Sequence, residues 1–246
     1  MQKIIFICLY IFLFSTVSVA NDTLKPNYSF TNVSINHLDW SKRTAENTSQ
    51  KDFTYLEVEG GAGWDWGEFY MFLDVENPTK SYDATPAKNM RFAFKPVLDI
   101  KLKDKLALYI QDYNLRSKSF YTNNLVVGLS YKFIPDADFW IKPFIGSHYQ
   151  TSTYYSGLNG YMIGWVFNYN IKLKEQKFSL AQWHESTFNR NKEDGYGNKI
   201  GHQGALSFWW HPISSISTGL QYRYARYELG SSQYQDGLIY SVKYNF

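Results

Sequence analysis

The sequence predicts an all-β protein, namely a single antiparallel transmembrane β-barrel of about twelve strands. Three observations support this fold. Strand-like segments alternate apolar and polar residues, and the connections between them alternate in length. Aromatic residues make up 19% of the chain, yet no apolar run after residue 20 approaches the roughly 20 residues that a membrane helix needs. Alternation lowers the mean hydropathy, which is −0.39, because only every second side chain of a barrel strand faces lipid.

The first part of the chain has the features of a secretory signal peptide. Lys3 provides a positive start, residues 4–14 form an apolar stretch, and residues 18–20 form a small-x-small cleavage site. The apolar stretch is too short for a membrane helix. We therefore expect a signal peptide over residues 1–20 and the barrel over residues 21–246.

The rest of the chain divides into segments with strand-like patterns. In one of them Tyr161, Ile163 and Trp165 share a face opposite Gly164 and Asn168. The number of segments is even, as in bacterial single-chain barrels. In order, the predicted strands cover residues 30–41, 52–62, 66–76, 89–101, 106–114, 121–133, 138–149, 160–172, 177–188, 201–211, 215–227 and 236–246.

The connections between these segments alternate between short and long. Short ones are predicted at residues 63–65, 102–105, 134–137, 173–176 and 212–214. Longer, polar ones are predicted at residues 41–51, 77–88, 115–120, 150–159, 189–200 and 228–235. Short periplasmic turns and longer outer loops are typical of a membrane barrel. A soluble β-sandwich, the alternative fold, has no reason to keep this rhythm.

The last predicted strand is amphipathic and stops on an aromatic residue. Its apolar face carries Leu238, Tyr240, Val242, Tyr244 and Phe246. Such a strand is typical of the closing strand of a bacterial outer-membrane barrel. It predicts location in the outer membrane and recognition by the barrel-assembly machinery through this strand.

Alternation also predicts which side chains line the lumen. If Leu56, Val58 and Leu73 face lipid, their neighbours along the strand face inward. A lipid-facing Arg or Lys at mid-bilayer costs about 2–4 kcal/mol, so charged residues are expected inside. The predicted lumen residues are Tyr55, Glu57, Glu59, Glu68, Tyr70, Phe72, Asp74, Glu76, Arg91, Lys95, Trp209, Arg223 and Lys243. They either provide a solute path or pair with one another and stiffen the barrel.

The first hairpin resembles a known family. Residues 53–59 read FTYLEVE and residues 65–70 read DWGEFY, followed by Leu73 and Asp74. These motifs, the next strand around residues 90–96 and the ending KYNF resemble the Tsx/OmpK family of outer-membrane channels. The resemblance implies a monomeric twelve-stranded barrel with a narrow lumen that passes nucleosides and similar small solutes. It also implies that Glu57, Glu59 and Asp74 match acidic positions of the family's first hairpin.

The residues and the resemblance together predict a channel for passive diffusion of small polar solutes such as nucleosides. One alternative is a surface receptor barrel whose outer loops bind phage or other ligands. A less favoured alternative is an outer-membrane acyl hydrolase, because His184 and Ser186 share a strand face and a His can take the proton of a Ser. The Asn-Gly that follows such a pair in those hydrolases is absent.

The remaining expectations concern partners and chemistry. We expect contact with outer-membrane lipid and lipopolysaccharide, a monomer, and no catalytic residue, metal site or cofactor. The net charge of +3 is too small to indicate binding to nucleic acid.

Overall fold

The chain forms one closed antiparallel β-barrel in the computed structural model, which describes residues 25–85, 89–191 and 198–246. The predicted signal peptide, residues 1–20, lies outside the described residues. Each strand pairs with its sequence neighbours, and β1 pairs with β12 to close the sheet. The prediction of a twelve-stranded barrel is confirmed. The strands are β1 (Tyr28–Trp40), β2 (Phe53–Trp64), β3 (Gly67–Glu76), β4 (Arg91–Lys103), β5 (Leu106–Arg116), β6 (Tyr121–Tyr131), β7 (Phe139–Ser152), β8 (Ser156–Leu173), β9 (Gln176–Phe188), β10 (Ile200–Ile213), β11 (Ile216–Glu228) and β12 (Ser231–Asn245).

Several connections differ in length from the sequence prediction. Residues 153–155 join β7 to β8 and residues 229–230 join β11 to β12, so two connections predicted to be long are tight turns. Gln150 and Gln235, which the sequence places in these loops, are buried strand residues. A strand residue that faces a polar lumen has the same composition as a loop residue, so polarity alone does not separate them. The connection between β6 and β7, residues 132–138, is longer than predicted.

The first outer loop contains a short helix, α1 (Lys42–Asn47), where the sequence predicted only a connection. The Ser41 hydroxyl caps this helix by accepting a hydrogen bond from the Thr44 N–H at 3.2 Å. Asp236 of β12 accepts hydrogen bonds from Ser41 Oγ at 2.6 Å and from Arg43 Nη2 at 2.8 Å. The helix is therefore held against the rim of the barrel. Among the described residues, no helix is long and apolar enough to cross a membrane.

The outward face of the barrel is apolar and exposed. Ile145, Ile163 and Val242 point outward with 49%, 43% and 58% of their surface exposed. Outward aromatic residues lie at two levels, near the outer and the periplasmic strand ends. The outer girdle contains Tyr121, Tyr149, Tyr161 and Tyr234, and the periplasmic girdle contains Tyr131, Tyr169, Trp210 and Tyr244. An apolar band between two aromatic girdles is the lipid-facing surface of an outer-membrane barrel.

Two apolar clusters narrow the lumen from opposite walls. The first lies on β4 to β8 and contains Val97, Tyr109, Val126, Phe144 and Met162. The second lies on β12, β1 and β2 and contains Leu38, Trp40, Tyr55 and Ile239. Polar side chains, such as Glu57 and Lys243, occupy the inward face between these clusters.

Candidate functional site in the barrel lumen

The residues predicted to line the lumen all lie on the inward face. Antiparallel pairing carries this face from strand to strand, because residues opposite one another in register point to the same side. The inward set comprises Tyr55, Glu57 and Glu59 on β2, Glu68, Tyr70, Phe72, Asp74 and Glu76 on β3, Arg91 and Lys95 on β4, Trp209 on β10, Arg223 on β11 and Lys243 on β12.

An ion pair crosses the lumen between Lys95 on β4 and Glu185 on β9. Strands β5 to β8 separate these two strands along the barrel wall, so the contact spans the interior. Glu185 also accepts hydrogen bonds from Gln111 Nε2 and Gln203 Nε2, each at 3.0 Å. The side chains of Lys95 and Glu185 are only 15% and 7% exposed. This bridge divides the cross-section of the lumen.

Trp183 lies beside the bridge, and its ring makes cation–π contacts with two side chains. The guanidinium carbon of Arg223 lies 4.5 Å from the ring centroid, and Lys95 Nζ lies 5.4 Å from it. Arg223 Nη2 donates to Gln203 Oε1 at 3.0 Å, and its Nη1 donates to the carbonyl of Gly204 at 3.0 Å. Among the described residues, no carboxylate forms an ion pair with Arg223.

A second ion pair lies against Trp209. Lys243 Nζ is 2.7 Å from Glu59 Oε2, and Tyr70 Oη donates to Glu59 Oε1 at 2.8 Å. Lys243 Nζ also lies 4.5 Å from the centroid of the Trp209 ring. A Cβ at Gly219 of β11 would lie 2.4 Å from Trp209 Cε3. The glycine therefore leaves the space in which Trp209 lies flat on the lumen wall.

Ion pairs also occupy the two ends of the lumen. At the outer end, Arg91 Nε is 2.5 Å from Glu76 Oε2. At the periplasmic end, Lys142 pairs with Asp99 and lies 3.7 Å from Glu68, which Lys132 also contacts. Most of the predicted lumen charges are thus paired with one another.

Glu57 and Asp74 differ from the other lumen carboxylates because they have no cationic partner among the described residues. They lie directly opposite one another on β2 and β3, and no described Lys, Arg or His forms an ion pair with either. Ser34 Oγ donates to Glu57 Oε1 at 3.2 Å, while Asp74 Oδ1 is buried without a hydrogen-bond partner. Unused acceptor positions on this carboxyl pair can accept hydrogen bonds from a solute.

Sequence reasoning missed part of the constriction, namely Trp183, Glu185, Gln111 and Gln203. The alternation rule could have found the first two, because Phe178 and Leu180 of the same strand face outward. His184 and Ser186 are the residues of this strand that the sequence singles out. These two residues lie on the outward face and do not reach the lumen.

Comparison with known proteins agrees with this architecture. The family model described as nucleoside-specific channel-forming protein, Tsx, matches residues 35–246. A solved structure of the NanC porin in a rhombohedral crystal form has 13% sequence identity and a TM-score of 0.53, and the match covers 87% of this chain and 100% of that one. At this identity, the likeness shows a shared barrel fold.

Two further solved structures match over most of their length. A bacterial polysaccharide outer membrane secretin has 8% identity and a TM-score of 0.45, with 90% of this chain and 99% of that one covered. The outer membrane channel DcaP of Acinetobacter baumannii has 10% identity and a TM-score of 0.39, with 89% and 96% covered.

The family match spans β2 to β12 and part of β1, which includes all of the predicted lumen residues. Family and fold are those of channel proteins, and they place the barrel in the bacterial outer membrane. The chain belongs to the Tsx family of nucleoside-specific channel-forming proteins.

Proposed function

We propose that this protein is a passive channel that lets nucleosides cross the outer membrane, and that Glu57 and Asp74 form the main polar contact along their path. The observation that carries this proposal is the carboxyl pair itself. It lacks a cation in a lumen where the other described carboxylates of the wall are paired. Family membership supports the nucleoside as the solute.

The chemistry of a nucleoside fits the surfaces between the two apolar clusters. Its ribose has hydroxyl donors for the Glu57 and Asp74 oxygens, and its planar base can stack on an aromatic ring such as Phe72. Base–aromatic stacking contributes about 1–3 kcal/mol in single-strand binding proteins. Contacts of this strength let a solute enter and leave, as conduction through several weak sites requires.

The bridge between Lys95 and Glu185 limits the size of the solute. Because it crosses the lumen, a solute passes beside it and next to Trp183. An uncharged nucleoside has no charge with which to displace either member of the fixed ion pairs. A phosphorylated nucleotide is larger and carries charge that the acidic pair repels.

The proposal extends to the partners of the barrel. We propose a monomer without enzymatic activity, surrounded by outer-membrane lipid and lipopolysaccharide. Recognition by the barrel-assembly machinery occurs through β12. Phage binding by the outer loops is the second candidate role, and the docking of α1 on Asp236 gives the first loop a fixed surface.

Flux measurements in proteoliposomes test the proposal. We expect uridine to enter vesicles containing the wild-type barrel faster than uridine monophosphate does. The double variant E57Q/D74N should slow uridine entry. Equal entry of both solutes, or an unchanged uridine rate in the variant, would contradict the role of the carboxyl pair.

A further inference from the structure

Four polar side chains lie together on the outward face, where a barrel normally presents apolar residues. They are His184 and Ser186 on β9, His202 on β10 and Tyr224 on β11, and we call them the outer polar cluster. The indole of Trp165 stacks on His184 with ring centroids 4.3 Å apart. Polar groups on a lipid-facing surface are costly unless they have partners. Each member of the cluster is therefore expected to have a hydrogen-bond partner.

The members of the cluster form one chain of hydrogen bonds. Tyr224 Oη lies 2.6 Å from His184 Nδ1, and His184 Nε2 lies 2.7 Å from Ser186 Oγ. Ser186 Oγ lies 2.8 Å from His202 Nδ1. The chain thus runs along the barrel surface over three strands.

Gly204 makes this arrangement possible. It lies between His184 and Tyr224 in register, on the strand that separates them. A Cβ at this position would lie 2.4 Å from Tyr224 Oη. Because glycine has no side chain, the phenol crosses β10 and reaches the imidazole.

The hydrogen-bonded chain of side chains has one more donor hydrogen than it has internal hydrogen bonds. With both imidazoles neutral, each of the four side chains carries one polar hydrogen, and three of these make the three hydrogen bonds. If His184 is protonated on Nε2, the remaining hydrogen is on His202 Nε2. If it is protonated on Nδ1, the remaining hydrogen is on Tyr224 Oη. In either case one N–H or O–H at an end of the chain is available to an acceptor from outside.

The charge beside the cluster favours an anionic acceptor. Arg226 is exposed, lies opposite His202 in register, and forms no ion pair with a described carboxylate. The carboxylate opposite Tyr224, Asp236, is already engaged by Ser41 and Arg43. A free donor next to an unpaired guanidinium is a site for an oxyanion.

The height of the cluster in the membrane identifies the source of that oxyanion. Ser186 lies two residues before the end of β9, and its cross-strand neighbour Ile163 is two residues from Tyr161 of the outer girdle. Aromatic girdles mark the level of the lipid headgroups. An anion that reaches the outward face at this level is a headgroup phosphate of the outer leaflet.

The same side chains include a serine next to a histidine, so a nucleophilic role is the competing explanation. Proton transfer from Ser186 would create a positive imidazolium at His184. That charge has a neutral phenol rather than a carboxylate as its partner. The other imidazole bonded to Ser186, His202, has the cation Arg226 opposite it rather than a carboxylate. The arrangement therefore favours binding of an anion over covalent catalysis.

We propose that His202 and Arg226, supported by the outer polar cluster, bind the phosphate of an outer-leaflet lipid and fix that lipid against β9 to β11. The ligand class is a phosphorylated glycolipid of the lipid A type. The site is independent of the lumen path proposed above, because its residues face the opposite side of the sheet.

Native mass spectrometry of the folded barrel in detergent tests the proposal. The probes are diphosphoryl lipid A and a neutral diglucosyl diacylglycerol of matched chain length. The variants are R226Q and H202Q, separately and together, with R116Q as the matched control. Arg116 is also exposed and outward at the outer girdle, where it lies 5.7 Å from the Tyr121 ring. Heat-dependent gel mobility establishes that each variant is folded, and the single variants keep the test available if the double variant does not fold.

We expect wild type and R116Q to bind lipid A more tightly than the neutral glycolipid. Each single variant should weaken lipid A binding about tenfold, since each removes a hydrogen bond to a charged group. Unchanged binding in both single variants, or an equal loss in R116Q, would overturn the proposal. So would full displacement of lipid A by millimolar inorganic phosphate, which would indicate a soluble ligand. Release of fatty acid from lipid A by wild type but not by S186A would instead establish the catalytic explanation.

Discussion

Glu57 and Asp74 face one another across β2 and β3 on the lumen wall, and neither forms an ion pair with a described residue. Two residues along β3 from Asp74, Glu76 pairs with Arg91 at 2.5 Å. One hairpin therefore carries both an unpaired and a paired carboxylate. This contrast allows the role of charge in conduction to be separated from its role in stability.

Neutralising the unpaired carboxyls should change conduction without lowering stability. In E57Q/D74N, we expect a weaker preference for cations, because negative potential in a narrow passage attracts them. The melting temperature should be unchanged or higher, since the variant removes a buried carboxyl pair that has no described cation beside it. Reversal potential in a salt gradient and thermal unfolding, measured on the same protein, check this. An unchanged reversal potential with a lowered melting temperature would leave the pair as scaffold.

E76Q is the matched control for that experiment, because it leaves Arg91 without its carboxylate on the same lumen wall. We expect a lower melting temperature in E76Q, since a buried charge that loses its partner is destabilising. A melting temperature in E76Q equal to that of E57Q/D74N would contradict the distinction between the two acidic sites.

Breaking the bridge across the lumen should widen the passage. E185Q leaves the Lys95 ammonium without its counter-charge and is expected to lower stability by up to about 3–5 kcal/mol, less where water reaches the lysine. Because the bridge divides the lumen, unitary conductance should rise in K95M/E185Q, where both charges are removed together. Conductance equal to that of wild type in the double variant would mean that the bridge does not limit the passage.

The alternation rule predicts from the sequence which side chains face the lumen. This is possible because the direction of a side chain depends only on strand periodicity, which Leu56, Val58 and Leu73 display clearly. The rule did not predict the pairing between Lys95 and Glu185, since that contact depends on the curvature that brings β4 opposite β9. It also did not predict α1, whose position depends on Asp236 of a strand far away in sequence. Long-range contacts of this kind leave no local pattern.

The outer strand ends differ from the sequence prediction for a related reason. Gln235 is fully buried and bonds with Gln50 of the first loop, although its polarity suggested a loop. An inward residue is polar because the lumen is polar. The sequence alone therefore does not distinguish a side chain in the lumen from one in bulk water.

The contact between the first loop and β12 should control the order of that loop. Asp236 Oδ1 accepts from Ser41, Arg43 and Thr44, with distances of 2.6, 2.8 and 3.3 Å. D236N removes the charge from these bonds, and charged hydrogen bonds contribute about 1.5–3 kcal/mol. We expect faster hydrogen exchange across α1 and unchanged exchange in β5 and β6. Protection of α1 equal to that of wild type would show that other contacts hold the loop.

Closure of the barrel should depend on the end of β12. The N–H of Phe246 donates to the carbonyl of Thr31 at 3.0 Å, and its ring lies edge-on to Tyr244 with centroids 5.1 Å apart. We expect deletion of Phe246 to reduce the amount of folded barrel in the outer membrane, while Y244A has a smaller effect. The conductance of the molecules that do assemble should be unchanged. Wild-type levels of the truncated protein would contradict a role in assembly.

Single-channel current in planar bilayers, with and without added nucleoside, tests the central claim most directly. The proposed path predicts open channels whose ion current falls in a saturable way as uridine or adenosine is added, with weaker block in E57Q/D74N. A barrel that conducts no ions, or whose current is the same at every nucleoside concentration, would contradict the assignment of the lumen as a nucleoside path.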